Sequence, residues 1–306
     1  MWPVIRLFSI VTAMTMLAGC AGRRQPVPAP LPAAEAVNFT VPGVDDVPDL
    51  HGNPENPDLV VFFGGNEFMV LPELLAAFRS EYPAYRRIFC ETLPPGILAR
   101  QIQVGMLRVG NLELEVRPDV VTGGKERLEK MKKAGQVTRT TAYAGNRLAI
   151  MVREGNPKSI TSLRDLQRRD VSVAMPDRSI EDIGKKIEEA YIKAGGPDLA
   201  EAVLERKPKD GTTWLTTIHH RQTPLRIIQR ESDAGPVWAT EVTFQQSLGQ
   251  PIAGVTIRKE ENVEATSVAG VMADAPRPQA AQDFLTFIAG DRAKEVYRKY
   301  GFLPPP

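Results

Sequence analysis

Leu59-Val60-Val61-Phe62-Phe63 is an unbroken apolar run that ends in Gly64-Gly65. A short run of this kind, closed by glycine, predicts a strand buried on both faces, as in a parallel sheet. Leu71–Phe78 then carries apolar residues at helical spacing, with Pro72 in the first turn, where proline is tolerated. The alternation repeats. Arg87–Cys90 reads as a strand, Leu93–Gly96 as a turn and Ile97–Ile102 as a helix. Pro118–Gly124 reads as a strand with a glycine turn, and Lys125–Lys133 as a helix. Such a βαβαβα series predicts an α/β fold built on open, mostly parallel sheet with helices on both faces.

The second half continues the pattern. Strands are expected at Asn146–Val152, Asp170–Met175, Ala234–Trp238, Gly254–Arg258 and Thr266–Met272. Helices are expected at Ile160–Leu166, Ile180–Ala194, Leu225–Arg230, Ala280–Ile288 and Arg292–Tyr300. The amphipathic Ile180–Ala194 segment stops at Gly195-Gly196-Pro197, a helix-ending signal. Thr223 reads as an N-cap, with Pro224 at the first helical position.

The N-terminus points to a compartment. In residues 1–20, MWPVIRLFSIVTAMTMLAGC, Arg6 precedes an uncharged apolar core, Leu7–Leu17. That core is shorter than the roughly 20 apolar residues of a membrane span and reads as a signal-peptide core. It ends in Leu17-Ala18-Gly19-Cys20, which resembles the bacterial lipobox. The resemblance implies that Cys20 is lipidated and becomes the mature N-terminus, in the periplasm. Ala21, rather than Asp, leans towards the outer membrane. Residues 21–57 are rich in Pro and Ala and read as an extended tether, with the folded body beginning near Asp58.

Composition narrows the function. The 306 residues are 42% hydrophobic and 25% charged, which suits one large or two moderate globular domains. Lys and Arg total 38 against 37 Asp and Glu, so no global field favours a nucleic-acid partner. Two cysteines exclude a disulfide-rich scaffold and a four-thiolate zinc site. Cys90, within a strand, reads as a small buried hydrophobe. Three histidines, His51, His219 and His220, leave little room for a histidine-built centre, so neither metal nor cofactor is expected. No Gly-Xaa-Ser-Xaa-Gly elbow and no phosphate-binding loop is present, and nothing in the spacing pairs Glu67 with a histidine as acid and base. No enzyme is expected.

The order of elements resembles the type II periplasmic solute-binding proteins, nearest to the molybdate-binding proteins of ABC importers. The landmarks are Val61–Asn66, Pro95–Ile102, Asn146-Arg147-Leu148, Ser162–Leu166, Ala234–Glu241 and the tail Ala281–Phe302. The resemblance implies two α/β lobes with the ligand in the cleft between them. Lobe one would comprise 58–142 plus 260–306, and lobe two 146–254, with crossings near Tyr143-Ala144-Gly145 and Thr256. It also implies a monomer that captures a small ligand, an oxyanion first, and delivers it to a membrane permease.

The candidate site departs from the molybdate pattern. That family's site uses two serines and a backbone amide from one lobe and a tyrosine from the other. Here the first serine position carries Asn66, followed by Glu67. The second carries Pro95, beside Gly96, and the tyrosine position carries Trp238. A free Glu67 would repel a divalent oxyanion. His219, His220, Arg221 and Thr223 gather at an expected helix N-terminus, where amides and the helix dipole favour anions. Arg221 adds a bidentate donor, and Ser179 stands before another helix. Each has a plainer reading as a cap, a core residue or a solvated loop. An accessory lipoprotein on the same fold, or a binder of organic or metal-containing ligands, remains the alternative.

Overall fold

Seventeen consecutive residues, Val137–Arg153, form a single strand around which the fold is organised. The computed structural model describes residues 38–39, 48–109, 111–216 and 219–305, with the backbone alone at 38, 39 and 112. The signal peptide, the lipobox with Cys20, and most of the tether lie outside the described residues.

The strands in chain order are β1 (Asn38–Phe39), β2 (Leu50–His51), β3 (Leu59–Phe62) and β4 (Ile88–Glu91). A small hairpin, β5 (Leu107–Val109) and β6 (Leu112–Leu114), precedes β7 (Val120–Gly124) and the long strand β8 (Val137–Arg153). Then come β9 (Val173–Pro176), β10 (Thr213–Thr216), β11 (Ala234–Trp238), β12 (Ile252–Thr256) and β13 (Glu264–Met272). Among the described residues, eleven strands join in the order β1-β2-β4-β3-β7-β13-β8-β11-β9-β10, with β12 on β8.

The sheet divides into two lobes. One rests on the parallel strands β4, β3 and β7, the other on the parallel strands β10, β9 and β11. From Val137 to Arg147, β8 pairs with β13. From Leu148 onward it pairs with β11 and β12. The chain therefore leaves the first lobe between Arg147 and Leu148, and returns between β12 and β13.

Period-two burial explains both halves. Leu59, Val61 and Phe63 enter the core beneath Leu74, Phe78, Phe284 and Phe287. Val60 and Phe62 point to the opposite core, with Phe89, Leu98 and Val121. In β8, Leu148, Ile150 and Val152 face one core and Ala149 and Met151 the other. Cys90 is buried in β4, and burial pushes its thiol up, out of the reactive range.

Several sequence expectations need correction. The folded body begins before Asp58: β2 pairs with β4, and Asp49 is fully buried. The expected strand at Asn146–Val152 extends back to Val137, because Thr138, Thr140 and Thr141 lie on a half-exposed edge whose polarity hid it. Thr223 is not a cap, since the helix Gln222–Ile228 starts before it. The helix expected from Ile180 starts at Asp182, with Glu181 at its N-cap and no side-chain capping bond. It breaks at Gly196, whose φ of 75° and ψ of −176° only glycine adopts readily. No element was expected at Thr213–Thr216 or Ala239–Ser247, where β10 and a helix form.

Two titrating groups, the buried Glu91 and the half-buried His51, set opposing pH dependences. Burial pushes the Glu91 carboxyl from 4.5 up to about 8, against a hydrogen bond from Gln101, while nearby Asp49 pushes it further up. Burial and Arg221 lower His51 to about 4. Between pH 4.5 and 8 the unfolded chain has released the Glu91 proton while the folded chain keeps it, so this group's contribution falls as pH rises. Between pH 4 and 6.5 the unfolded His51 holds a proton that the folded one lacks, so that contribution falls as pH drops. Glu91→Gln is expected to gain stability over the parent progressively from pH 5 to 8, measured as the difference in urea unfolding free energy.

Candidate ligand-binding site

The end of β3 builds the first wall. After Phe62 the chain turns through Gly64-Gly65 into a 3-10 turn, Gly65–Val70. The Gly64 N–H donates to Thr122 Oγ1 at 2.8 Å, locking the turn to the end of β7. Thr122 Oγ1 in turn donates to Glu67 Oε1 at 2.8 Å. Tyr143 and Tyr297 donate their hydroxyls to Glu67 Oε1 and Oε2, each at 2.6 Å. Burial raises the Glu67 carboxyl above its usual range, and the three hydroxyls oppose that shift. Glu67 is therefore not the free, repelling charge the sequence suggested. It ties β3, β7, β8 and the helix Asp291–Lys299 together beneath the cavity.

The second lobe supplies the opposite wall. Glu181, at the N-cap of the helix Asp182–Glu201, accepts the His220 backbone N–H at 3.0 Å through Oε1. Its Oε2 stands 3.4 Å from His220 Nδ1. Trp238 ends β11, and Asn146 in β8 donates Nδ2 to Thr240 Oγ1 at 2.9 Å.

Between the walls lies a cavity of about 120 Å³. Asn66, Glu67, Pro95, Thr122 and Arg127 line it from the first lobe, and Glu181, Lys186, His220 and Trp238 from the second. Its volume is well below the roughly 300–1,000 Å³ of sites for drug-sized ligands. It opens onto a wider mouth of about 490 Å³ that shares Pro95, Arg127, Asp182 and Lys186 with it.

A buried ion pair closes the seam beside the cavity. The Arg221 guanidinium, from the helix N-terminus in lobe two, pairs with Asp49 in lobe one. It also lies 5.1 Å over the Phe68 ring, and Nη2 reaches the Thr92 carbonyl at 3.4 Å. His219 packs beside it, so close to the first lobe that a Cβ on Gly65 would sit 2.3 Å from His219 Nε2. Only glycine admits this approach. Burial, His220 and Arg221 hold His219 well below the usual histidine range, in the neutral form. A second ion pair crosses the mouth, Lys186 Nζ to Glu126 Oε1 at 3.0 Å.

The expected site residues therefore separate. Asn66, Glu67, His220 and Trp238 line the inner cavity. Gly96 lines only the outer mouth. Ser179 is exposed, lines neither space, and donates its N–H to Asp177 Oδ1 at 2.7 Å. His219 and Arg221 seal the seam and do not line the cavity; Asp49 neutralises the guanidinium expected to meet an anion. Thr223 is buried against β11, where a Cβ on Gly235 would lie 2.6 Å from its Cγ2. Its role is packing. Sequence reasoning missed Asp49, Thr122, Arg127, Tyr143, Glu181 and Tyr297. Glu181 had a local signal, since it directly precedes a helix; the others depend on contacts distant in sequence.

Residues 59–303 match the bacterial extracellular solute-binding protein family. The chain belongs to that family. The fold is also that of several solved proteins. The sulfate-binding protein SubI of Mycobacterium tuberculosis superposes with a TM-score of 0.68 at 19% identity, covering 80% of this chain and 85% of that one. The periplasmic molybdate-binding protein of Azotobacter vinelandii gives 0.66 at 14% identity, covering 81% and 100%. Iron-bound HitA of Pseudomonas aeruginosa gives 0.61 at 15% identity, covering 81% and 86%. No curated protein matches by sequence. These structures share the fold at low identity, so the cavity's own side chains must define the ligand. The three positions that depart from the molybdate pattern, Asn66, Pro95 and Trp238, all line the cavity.

Removing one partner of a buried ion pair strands the other charge. Asp49→Ala is expected to cost about 3–5 kcal/mol in urea unfolding, well above the effect of a surface substitution.

Proposed function

We propose that the protein is a lipid-anchored periplasmic binding protein, with no catalytic role, that captures a small anion between its lobes for delivery to a membrane permease. The cavity between the lobes carries this reading, because both lobes contribute to its walls, as capture by closure requires. The charge at its entrance supports an anion. Lys125, Arg127, Lys130, Lys185 and Lys186 line the mouth against Glu126, Asp182 and Glu264, five positive charges to three negative. Such an excess raises the local concentration of anions and speeds their capture. The cavity volume suits an oxyanion or a short organic anion. Glu67, held by three hydroxyls, is placed to brace the wall rather than to move protons.

The Cys20 lipid and the Pro-rich segment behind it would hold the body near the membrane and free to meet a permease as a monomer. No described helix is long and apolar enough to cross a membrane. One observation favours a second reading, an accessory lipoprotein held permanently closed: the buried Asp49–Arg221 pair and His219 fill much of the seam.

Calorimetric titration with sulfate, molybdate, phosphate and short carboxylates tests the proposal. One of them is expected to bind, and Arg127→Ala to weaken it by about 1.5–3 kcal/mol, the scale of a hydrogen bond to a charged group. An absence of heat across the panel would favour the accessory protein.

A further inference from the structure

His220 faces a carboxylate on each side. Its Nδ1 lies 3.4 Å from Glu181 Oε2, and its Nε2 lies 3.7 Å from Glu241 Oε1. All three side chains are buried. An imidazole with one N–H can donate to only one of these carboxylates, and a metal cation on its other nitrogen would take up the lone pair that faces the second. His219 stands alongside, with the two ring centroids 4.3 Å apart. Adjacent residues in an extended strand point apart, but the turn before the helix Gln222–Ile228 brings these two rings together. His219 Nε2 faces the Gly65 and Thr92 backbone of the first lobe and His220 Nε2 faces Glu241, so the nitrogen that His220 turns to Glu181 is Nδ1. His219 Nδ1 accepts the Arg221 N–H at 3.2 Å, a bond that an ion on that nitrogen would replace. One donor atom each from Glu181, His219 and His220 lies within 4.8 Å of the others.

We propose that Glu181, His219 and His220 form a binding site for one divalent transition-metal cation of the zinc type. Two nitrogens and one carboxylate oxygen are a donor set that zinc accepts. Donors on one tetrahedral zinc stand about 3.3 Å apart, so side-chain adjustments on the ångström scale close the set. Glu241 then stands behind His220 as the outer carboxylate that orients a metal-bound imidazole. Glu181 and His220 also line the ligand cavity. A fourth position therefore opens into it, where a captured anion completes the coordination; this last clause alone rests on the anion-binding reading.

The test uses the full chain, stripped with a chelator and titrated with zinc chloride by calorimetry and with cobalt chloride by visible absorption. One zinc per chain is expected, together with the intense visible bands of four-coordinate cobalt. His220→Ala and Glu181→Gln are each expected to weaken zinc at least tenfold, with the far-ultraviolet circular dichroism unchanged. Absence of both zinc heat and cobalt bands in the parent protein overturns the site, whatever the variants do. Zinc binding that both variants leave intact overturns it as well. Sulfate added to the cobalt protein is expected to shift the bands. An unchanged spectrum removes the shared coordination and leaves the metal site standing, and failure of the protein to bind any anion leaves the zinc stoichiometry untouched.

Discussion

The ion pair between Asp49 and Arg221 holds the two lobes against one another, and the cavity exists because they meet. Both side chains are buried, so the pair has lost its water on both sides. Such a pair sits near break-even: mutual attraction offsets desolvation without a large surplus. That balance suits a device that must open. Separated, each charge regains hydration; together, they find one another and the Phe68 ring. A ligand then needs only a modest preference for the closed state to shift the population. The exposed Glu126–Lys186 pair crosses the mouth as well, but a solvated pair contributes little.

The first wall is stiff for a different reason. Glu67 accepts from Thr122, Tyr143 and Tyr297, which belong to three separate elements. Tyr143 lies in the crossing strand, four residues before the chain changes lobe, and Tyr297 in the closing helix. A buried carboxyl with three hydroxyl partners fixes all of them at once. Asn66 is thereby presented to the cavity from a rigid base, while under the proposed closure the second wall would be carried across by lobe motion. Positional accuracy comes from the cage and adaptability from the seam.

The fold was legible because its signals are local. Runs such as Leu59–Phe63 and Ala234–Trp238 define strands by composition alone, and the order of such landmarks carried the resemblance that implied two lobes. What escaped lacked such a signal. Residues 137–145 pair along an edge with polar side chains, and β2 is two residues long. The site divides likewise. Asn66 follows β3 and Trp238 ends β11, and these two strand ends bring both side chains to the cavity lining. Arg221 misled because its partner, Asp49, is 172 residues away and lay in a segment read as tether. No local pattern distinguishes an arginine that meets a ligand from one already neutralised.

Lobe closure on the ligand is the central claim, and the distance between lobes measures it directly. Spin labels at Lys132→Cys and Lys209→Cys, exposed positions on opposite lobes, report that distance by pulsed electron resonance. The account predicts a broad distribution without ligand that narrows to the shorter distance when the bound anion is added. A single short distance, identical with and without ligand, would contradict it and mean that the seam never opens.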